Sequence, residues 1–287
     1  MNDGAARGAG ERAGGGPLDL HTHSTASDGL LAPAQLVALA VERGLQTLAL
    51  TDHDTIAGLP EASAAAAAAA LRFVPGVELS THVEAGEVHM LGYFVDTADP
   101  ALRDALARFR AAREGRAEEM VTRLGAAGAP IALARVHAFA GAGSIGRPHV
   151  ARALIEAGHA TSINEAFERW LVRGRPGYVE RLRLTPPEAI CLIRAAHGVP
   201  VLAHPHSVDD LAGLLPQLLA AGLSGMECYY GDYDEPRKRG YLALARRHNL
   251  VATGGTDYHG GDGAHRRPLG SVYIPPQCVE DLAARRP

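Results

Sequence analysis

Apolar positions follow two alternating rhythms along this chain. Short unbroken apolar runs read as buried strands, and stretches with apolar residues three and four apart read as helices. Leu18–Leu20 predicts a strand. Pro33–Arg43, with Leu36, Val37, Leu39, Ala40 and Val41 at its apolar positions and Gly44 as a stop, predicts a helix. Gln46–Thr51 predicts a strand, Ile56–Ala70 a helix and Arg72–Leu79 another strand. The alanine run Ala64–Ala70 favours helix by propensity alone. The tract VEAGE predicts a turn before a strand at Val88–Val95. Toward the C-terminus, helices are predicted at Pro187–Ala196, Leu211–Ala221 and Glu235–His248. They interleave with strands at Val199–Ala203, Gly225–Tyr229 and Leu250–Gly254.

This β-α alternation predicts an α/β fold with a parallel sheet, either a barrel or a doubly wound sheet. The stretch from about Pro100 to Arg175 breaks the rhythm. It is rich in Ala, Arg, Glu and Leu with few strand signals, which predicts a helical insertion capping the site. The 287 residues, 47% of them hydrophobic, suffice for one sizeable core in a single barrel, or for two small domains. Residues 1–16, MNDGAARGAGERAGGG, are glycine-rich and lack the apolar core of a signal peptide, so they are expected to be a disordered tail.

A net charge of −4 gives no sign of a polycation, so long duplex nucleic acid is not an expected partner. No run reaches the ~18 apolar residues of a membrane span. Cys191, Cys228 and Cys278 have no close spacing, which argues against a disulfide framework and against a thiolate zinc site. A reducing, cytoplasmic compartment is expected.

The candidate chemistry sits where strands end. HTHSTASDG offers His21, His23 and Asp28; TDHDT offers Asp52, His53 and Asp54; PGVELS offers Glu78. EVHMLGY offers His89, LAHPH offers His204 and His206, and GTDYHG offers Asp257 and His259. In parallel α/β folds the C-terminal strand ends converge on one face. His21 and His23 point to the same side of an extended chain, as do Asp257 and His259. Nitrogen and oxygen donors without sulfur suit Mn, Fe or Zn, and the donors are too many for one tetrahedral ion. Two or three divalent ions are therefore expected, with a carboxylate such as Glu78 bridging.

Taken together, HTHSTASDG, TDHDT, PGVELS, EVHMLGYF, LAHP and GTDYHG resemble the PHP (polymerase and histidinol phosphatase) family, from about Leu18 to Val272. The resemblance implies a distorted (βα)7 barrel and a trinuclear phosphoesterase site. One phosphoesterase domain is then expected over residues 17–278, with the insertion at about 100–175 inside it. His21, His23, Glu78 and Asp257 would hold a first ion, Glu78, His89 and His204 a second, and Asp28, His53 and His259 a third, most plausibly manganese. GRPHVARALIEAGHA and EAFERWLVRGRPGYV resemble the subgroup that hydrolyses nucleoside 3′,5′-bisphosphates and trims short RNA from its 5′ end.

The chemistry then expected is attack on phosphorus by a hydroxide held between two ions. Glu78 and Asp257 would organise it. His206 either protonates the leaving alkoxide or is a rim histidine without a role. Arg147, His149, Arg173 and Arg175 are the candidates for the uncleaved phosphate of a small nucleotide or short oligonucleotide, since arginine forks bind phosphate bidentately. Arg108, Arg110, Arg113 and Arg116 are expected on a solvated helix face. Arg266 and Arg267 lie close to the last motif. Tyr178, Tyr230 and Tyr258 could stack on a base or simply pack. The alternatives are a small-metabolite phosphatase, such as one for histidinol phosphate, and a non-catalytic metal-bearing accessory domain. The sequence does not fix the oligomeric state.

Overall fold

The computed structural model describes residues 18–287 apart from 85, 142, 144, 181–183, 232 and 262–266. The predicted N-terminal tail therefore lies outside the described residues. Seven strands form one sheet in sequential order: β1 (Leu18–Asp19), β2 (Thr47–Leu50), β3 (Arg72–Val83), β4 (Gly86–Tyr93), β5 (Val199–Leu202), β6 (Gly225–Tyr230) and β7 (Val251–Gly255). Helices α1 (Pro33–Glu42) and α2 (Leu59–Ala68) follow the first two strands, and α8 (Leu211–Ala221) and α9 (Glu235–Arg247) follow β5 and β6. Past the ends of β1 and β7 the two edges of the sheet come together. Thr22 and Tyr258 form a parallel bridge, and His23 N–H donates to Tyr258 O at 2.8 Å. The sheet is thus a nearly closed barrel.

The parallel expectation holds for β1–β2–β3 and β5–β6–β7 but fails for β4, which runs antiparallel to both neighbours. The reason is the VEAGE tract. A short turn permits only a hairpin, whereas a parallel partner needs a crossover of a dozen or more residues. β3 is also longer than predicted and carries Glu78 in its middle rather than at its end. One consequence is functional: β4 enters on the rim where the parallel strands leave, so the start of β4 can supply a residue to the same face.

Inside the barrel, Leu18, Leu20, Val74, Leu91, Val199 and Val201 pack together, joined by α10 (Gln277–Ala283) through Cys278, Val279 and Leu282. Tyr93 is fully buried among them and donates its hydroxyl to Leu20 O at 2.9 Å. Cys191, Cys228 and Cys278 are all free thiols, as their spacing predicts. No helix among the described residues is long and apolar enough to cross a membrane.

The predicted insertion is helical: α3 (Pro100–Ala126), α4 (Leu133–Ala140), α5 (Arg147–Glu156) and α6 (Ile163–Ala166), which ends in a wide turn at Phe167–Leu171. The chain rejoins the barrel through α7 (Pro186–Ala195), begun by a capping box between Thr185 and Glu188. α3 serves two cores. Leu102 and Leu106 pack with the barrel, while Ala117, Met120 and Leu124 pack with α4–α6 and Trp170. Arg108 and Arg110 are exposed as expected, but Arg113 and Arg116 are buried. A helix pressed between two layers has little free face, so the solvated-face expectation fails for that half.

The seam between β7 and β1 is tight enough to test. A Cβ on Gly255 would lie 2.3 Å from His21 Cβ and 2.6 Å from His21 N, so one must move. Gly255→Ala is expected to cost about 1–3 kcal/mol, as overpacking does. Urea unfolding checks this; a midpoint equal to that of the unmodified chain would show that the seam yields freely.

Candidate metal centre

β1 exits through Leu20 into His21-Thr22-His23. Thr22 faces away and donates its hydroxyl to Ala49 O at 2.6 Å, which leaves both imidazoles on the inner side. The loop then folds back on itself. A Cβ on Gly29 would stand 2.4 Å from His23 O, so only glycine lets Asp28 return beside His23. Asp52 holds this loop by accepting from Ser24 N (2.8 Å), Ser24 Oγ (2.7 Å) and Ser27 Oγ (2.6 Å). His53 leaves β2 and bridges Glu78, with Asp54 N–H donating to Glu78 O at 2.8 Å. Asp54, His204 and Asp257 all have positive φ (50°, 25° and 52°), a region that costs an L residue free energy and that clusters at functional sites.

All nine predicted ligands come together around Glu78. Its carboxylate lies 2.8 Å from His89 Nδ1, 3.0 Å from His53 Nδ1, 3.2 Å from His23 Nε2 and His204 Nε2, and 3.3 Å from His21 Nε2. Asp257 Oδ1 stands 3.1 Å from His23 Nε2 and 3.3 Å from His21 Nε2. His259 Nε2 is 3.3 Å from Asp28 Oδ1. Three groups have donor atoms close enough to share an ion: His21–His23–Glu78, His53–Glu78–His89, and His23–Asp28–His53–His259. His23 and His53 thus each stand between two groups.

Burial alone would push the Glu78 carboxyl up, but the imidazoles of His53, His89 and His21 outweigh it and hold it well below the usual range. Asp257 and Asp28, half-buried, are likewise held well below theirs, Asp257 chiefly by His21 and His259, and Asp28 by His259 and His53. The cluster therefore gathers three ionised carboxylates among imidazoles. His21 Nε2, both nitrogens of His23, His53 Nδ1, His89 Nε2 and Glu78 Oε2 are buried with no hydrogen-bond partner among the described residues. Buried polar atoms without partners are costly, and divalent cations would satisfy these. The residues fit two or more such ions.

Sequence reasoning missed the supports. Glu227 is fully buried on β6, 3.0 Å from His21 Nδ1, and it accepts from His204 N at 2.7 Å, so one carboxylate orients two ligands from distant strands. Its signal, a lone acid in the apolar run GMECYY, was available. Tyr230 donates its hydroxyl to Asp257 Oδ2 at 2.9 Å, which leaves Oδ1 for the imidazoles and gives Tyr230 a role other than base stacking. Arg113 donates Nε to Asp54 Oδ2 at 2.9 Å and Nη1 to Ile145 O at 3.1 Å, which ties the insertion to the His53 loop. Nothing in the sequence separates Arg113 from its exposed neighbours.

The predicted phosphate ligands are less concentrated. Arg147 Nη2 bonds Glu87 at 2.9 and 3.1 Å, and Glu87 Oε2 is 3.9 Å from His89 Nε2, so Arg147 stands on the rim. His149 is buried; its Nδ1 accepts from Gly146 N at 3.0 Å. Burial pushes its pKa down to about 4, with Arg152 and Arg113 adding to the effect against Asp28. It is therefore an uncharged group. Arg173 is exposed and donates to Glu84 O at 3.2 Å, beside Glu180. Arg175 is exposed, and its side chain makes no hydrogen bond or ion pair among the described residues. His206 is exposed, its ring 6.1 Å from that of His204, with Tyr233 Oη 3.3 Å from Nδ1. Tyr258 packs against the α1–α2 core, and the Tyr178 carbonyl accepts from Arg123. Arg267 passes over Gly231; Arg266 lies outside the described residues.

The Glu227 contacts generate a prediction. Glu227→Gln keeps the shape but loses the charge, and outer carboxylates of this kind change metal affinity about 10–100-fold. Calorimetric titration with manganese chloride is expected to show that weakening in a normally folded variant. An unchanged isotherm would make Glu227 a packing residue only.

Residues 19–171 match the PHP domain model. The chain is 41% identical over 251 residues to the 5′-3′ exoribonuclease Rnm of Salmonella typhimurium, covering 84% of each. It is 36% identical over 274 residues to the 3′,5′-nucleoside bisphosphate phosphatase of Chromobacterium violaceum, covering 91% of this chain and 93% of that one. Its structure superposes on a Bifidobacterium adolescentis protein assigned as a metal-dependent phosphoesterase with a TM-score of 0.85 and 32% identity, covering 94% and 96% of the two chains. The barrel, the convergent imidazoles and carboxylates and these relatives agree: the chain belongs to the PHP domain family.

Proposed function

We propose that this chain is a metal-dependent phosphoesterase that hydrolyses a terminal phosphate ester of nucleotides, as a nucleoside 3′,5′-bisphosphate phosphatase, a 5′-to-3′ exonuclease on short RNA, or both. The observation that carries the reading is Glu78, a buried carboxylate within 3.3 Å of five imidazoles. The named activities of the Salmonella and Chromobacterium relatives, each matched over most of its length, support the substrate class. A small or short substrate fits the net charge of −4. The insertion, which resembles that of the bisphosphate-hydrolysing subgroup, speaks against histidinol phosphate.

Two or three divalent ions, of which manganese suits an oxygen- and nitrogen-rich set, would supply a nucleophile at neutral pH and neutralise phosphate charge. His21, His23, Glu78 and Asp257 would hold one, Glu78, His89 and His204 another, and Asp28, His53 and His259 a third. The remaining work falls to the chain's own groups. Tyr230 and Glu227 fix the orientation of Asp257, His21 and His204 before substrate arrives, so little rearrangement is needed in the reaction. Arg147, exchanging Glu87 for substrate, would grip the uncleaved phosphate bidentately. His149 accepts at Nδ1, so in its neutral form Nε2 carries the proton and can donate to a phosphate oxygen without adding charge. His206, next to His204 and backed by Tyr233, would hold a proton for the leaving alkoxide. Arg173 and Arg175 are exposed and touch no residue of the cluster, so they are the weaker candidates.

Turnover by manganese-loaded protein is the test, read as phosphate release from adenosine 3′,5′-bisphosphate and from histidinol phosphate, and as release of nucleoside 5′-monophosphate from a 5′-phosphorylated RNA oligomer. Turnover of either nucleotide substrate well above histidinol phosphate is expected, and Asp257→Ala is expected to lower it to below about a tenth. Preference for histidinol phosphate, or silence on all three, would refute the substrate class.

A further inference from the structure

Six arginines of the insertion and its rim are engaged by carboxylates: Arg113 by Asp54, Arg123 by Glu119, Arg135 by Glu156, Arg147 by Glu87, Arg169 by Glu165 and Arg173 by Glu180. Arg103, Arg108, Arg110 and Arg175 have no carboxylate partner among the described residues, and of these Arg103 and Arg110 line one groove. Both are exposed on α3, and neither is ion-paired among the described residues. They lie two turns apart on one helix face, separated by about 10 Å along the axis. That face borders a groove of about 680 Å³, whose lining also includes Thr55, Ile56, Pro60 and Thr97 and contains no carboxylate and no aromatic ring.

The groove lies beside the loop that carries His53. Thr55 follows His53 by two residues in one loop, and Arg110 Nη2 lies 3.5 Å from Thr55 Oγ1. One turn further along α3, Arg113 grips Asp54, the neighbour of His53. A mononucleotide held at Glu78 has no use for cations that far along the helix. Two unpaired cations spaced along an acid-free groove suit a ligand carrying negative charge at regular intervals. Without rings to stack on bases, such a groove reads backbone charge and not sequence.

We propose that this groove carries the downstream phosphates of a short single-stranded RNA whose 5′ end lies at the metal centre, with Arg103 and Arg110 each holding one phosphate. The inference rests on the nucleotide reading above and deepens it: the same centre serves a bisphosphate alone, and the groove adds affinity only for an oligomer. Two cations set a short reach, in keeping with a chain of net charge −4.

The test is fluorescence anisotropy on the full manganese-loaded chain. The probes are labelled, 5′-phosphorylated RNAs with cleavage-resistant phosphorothioate linkages, a dinucleotide and a hexanucleotide. The hexanucleotide is expected to bind the unmodified chain more tightly than the dinucleotide does. In the double variant Arg103→Glu, Arg110→Glu that advantage is expected to vanish, with hexanucleotide affinity falling on the order of tenfold at low salt. The slope of log affinity against log salt is expected to flatten by about 1.4, from about 0.7 for each single-strand phosphate neutralised. Competition by adenosine 3′,5′-bisphosphate is expected to be unchanged. Both positions are exposed, and the milder pair Arg103→Gln, Arg110→Gln is expected to show the same trend. Equal affinities for the two RNAs in the unmodified chain, or hexanucleotide affinity and salt slope untouched in both variants, would overturn the proposal. A chain that binds RNA this way but hydrolyses neither nucleotide substrate would instead overturn the functional reading, because binding is read without turnover.

Discussion

Everything in this fold that bears on function depends on one carboxylate placed where water cannot reach it. Glu78 is fully buried, and a lone carboxylate in that position would cost several kcal/mol or take up a proton. It stays ionised because imidazoles from β1, β2, β4 and β5 surround it. The same constraint shapes the backbone. β3 must run past the point where β2 stops, and β4 must turn back antiparallel, for His89, opposite Ser80, to reach Glu78 diagonally across the hairpin.

Around this centre the acidic residues divide by role. Glu78, Asp28 and Asp257 face the imidazoles, while Asp19, Asp52, Asp54 and Glu227 hold backbone and ligands in place. Asp19 accepts from Thr256 N at 3.0 Å and Gly270 N at 2.9 Å and so fastens the end of β7 to β1. Asp54 does the same between the His53 loop and α3 through Arg113. Supports that are each satisfied by several donors keep a charged site rigid, and rigidity is what lets it act on charge developing in a reaction.

Much of this was legible in the sequence. The β-α rhythm and the helical interruption locate most strands, and local rules put acids and imidazoles at the strand ends, but the choice of nine donors among them came from the resemblance to the PHP family. The antiparallel β4 was written in VEAGE but hidden by the regular alternation on either side. Glu227 was visible as an acid within an apolar strand. Arg113 was not visible at all: it shares composition and spacing with exposed Arg110, and only the tertiary packing of α3 between two cores decides which arginine is buried. Arg147 and Arg173 were picked out by the Gly/Pro punctuation around them, yet the carboxylates that engage them, Glu87 and Glu180, are set by the fold and by no local pattern.

The residues around Glu78 offer donor groups for more than one ion. Equilibrium dialysis of the EDTA-stripped chain against manganese, with bound metal counted by mass spectrometry, tests this most directly. Two to three ions per chain are expected, with at least two lost in Glu78→Ala. Binding of one ion or fewer, or binding untouched by removal of Glu78, would contradict it.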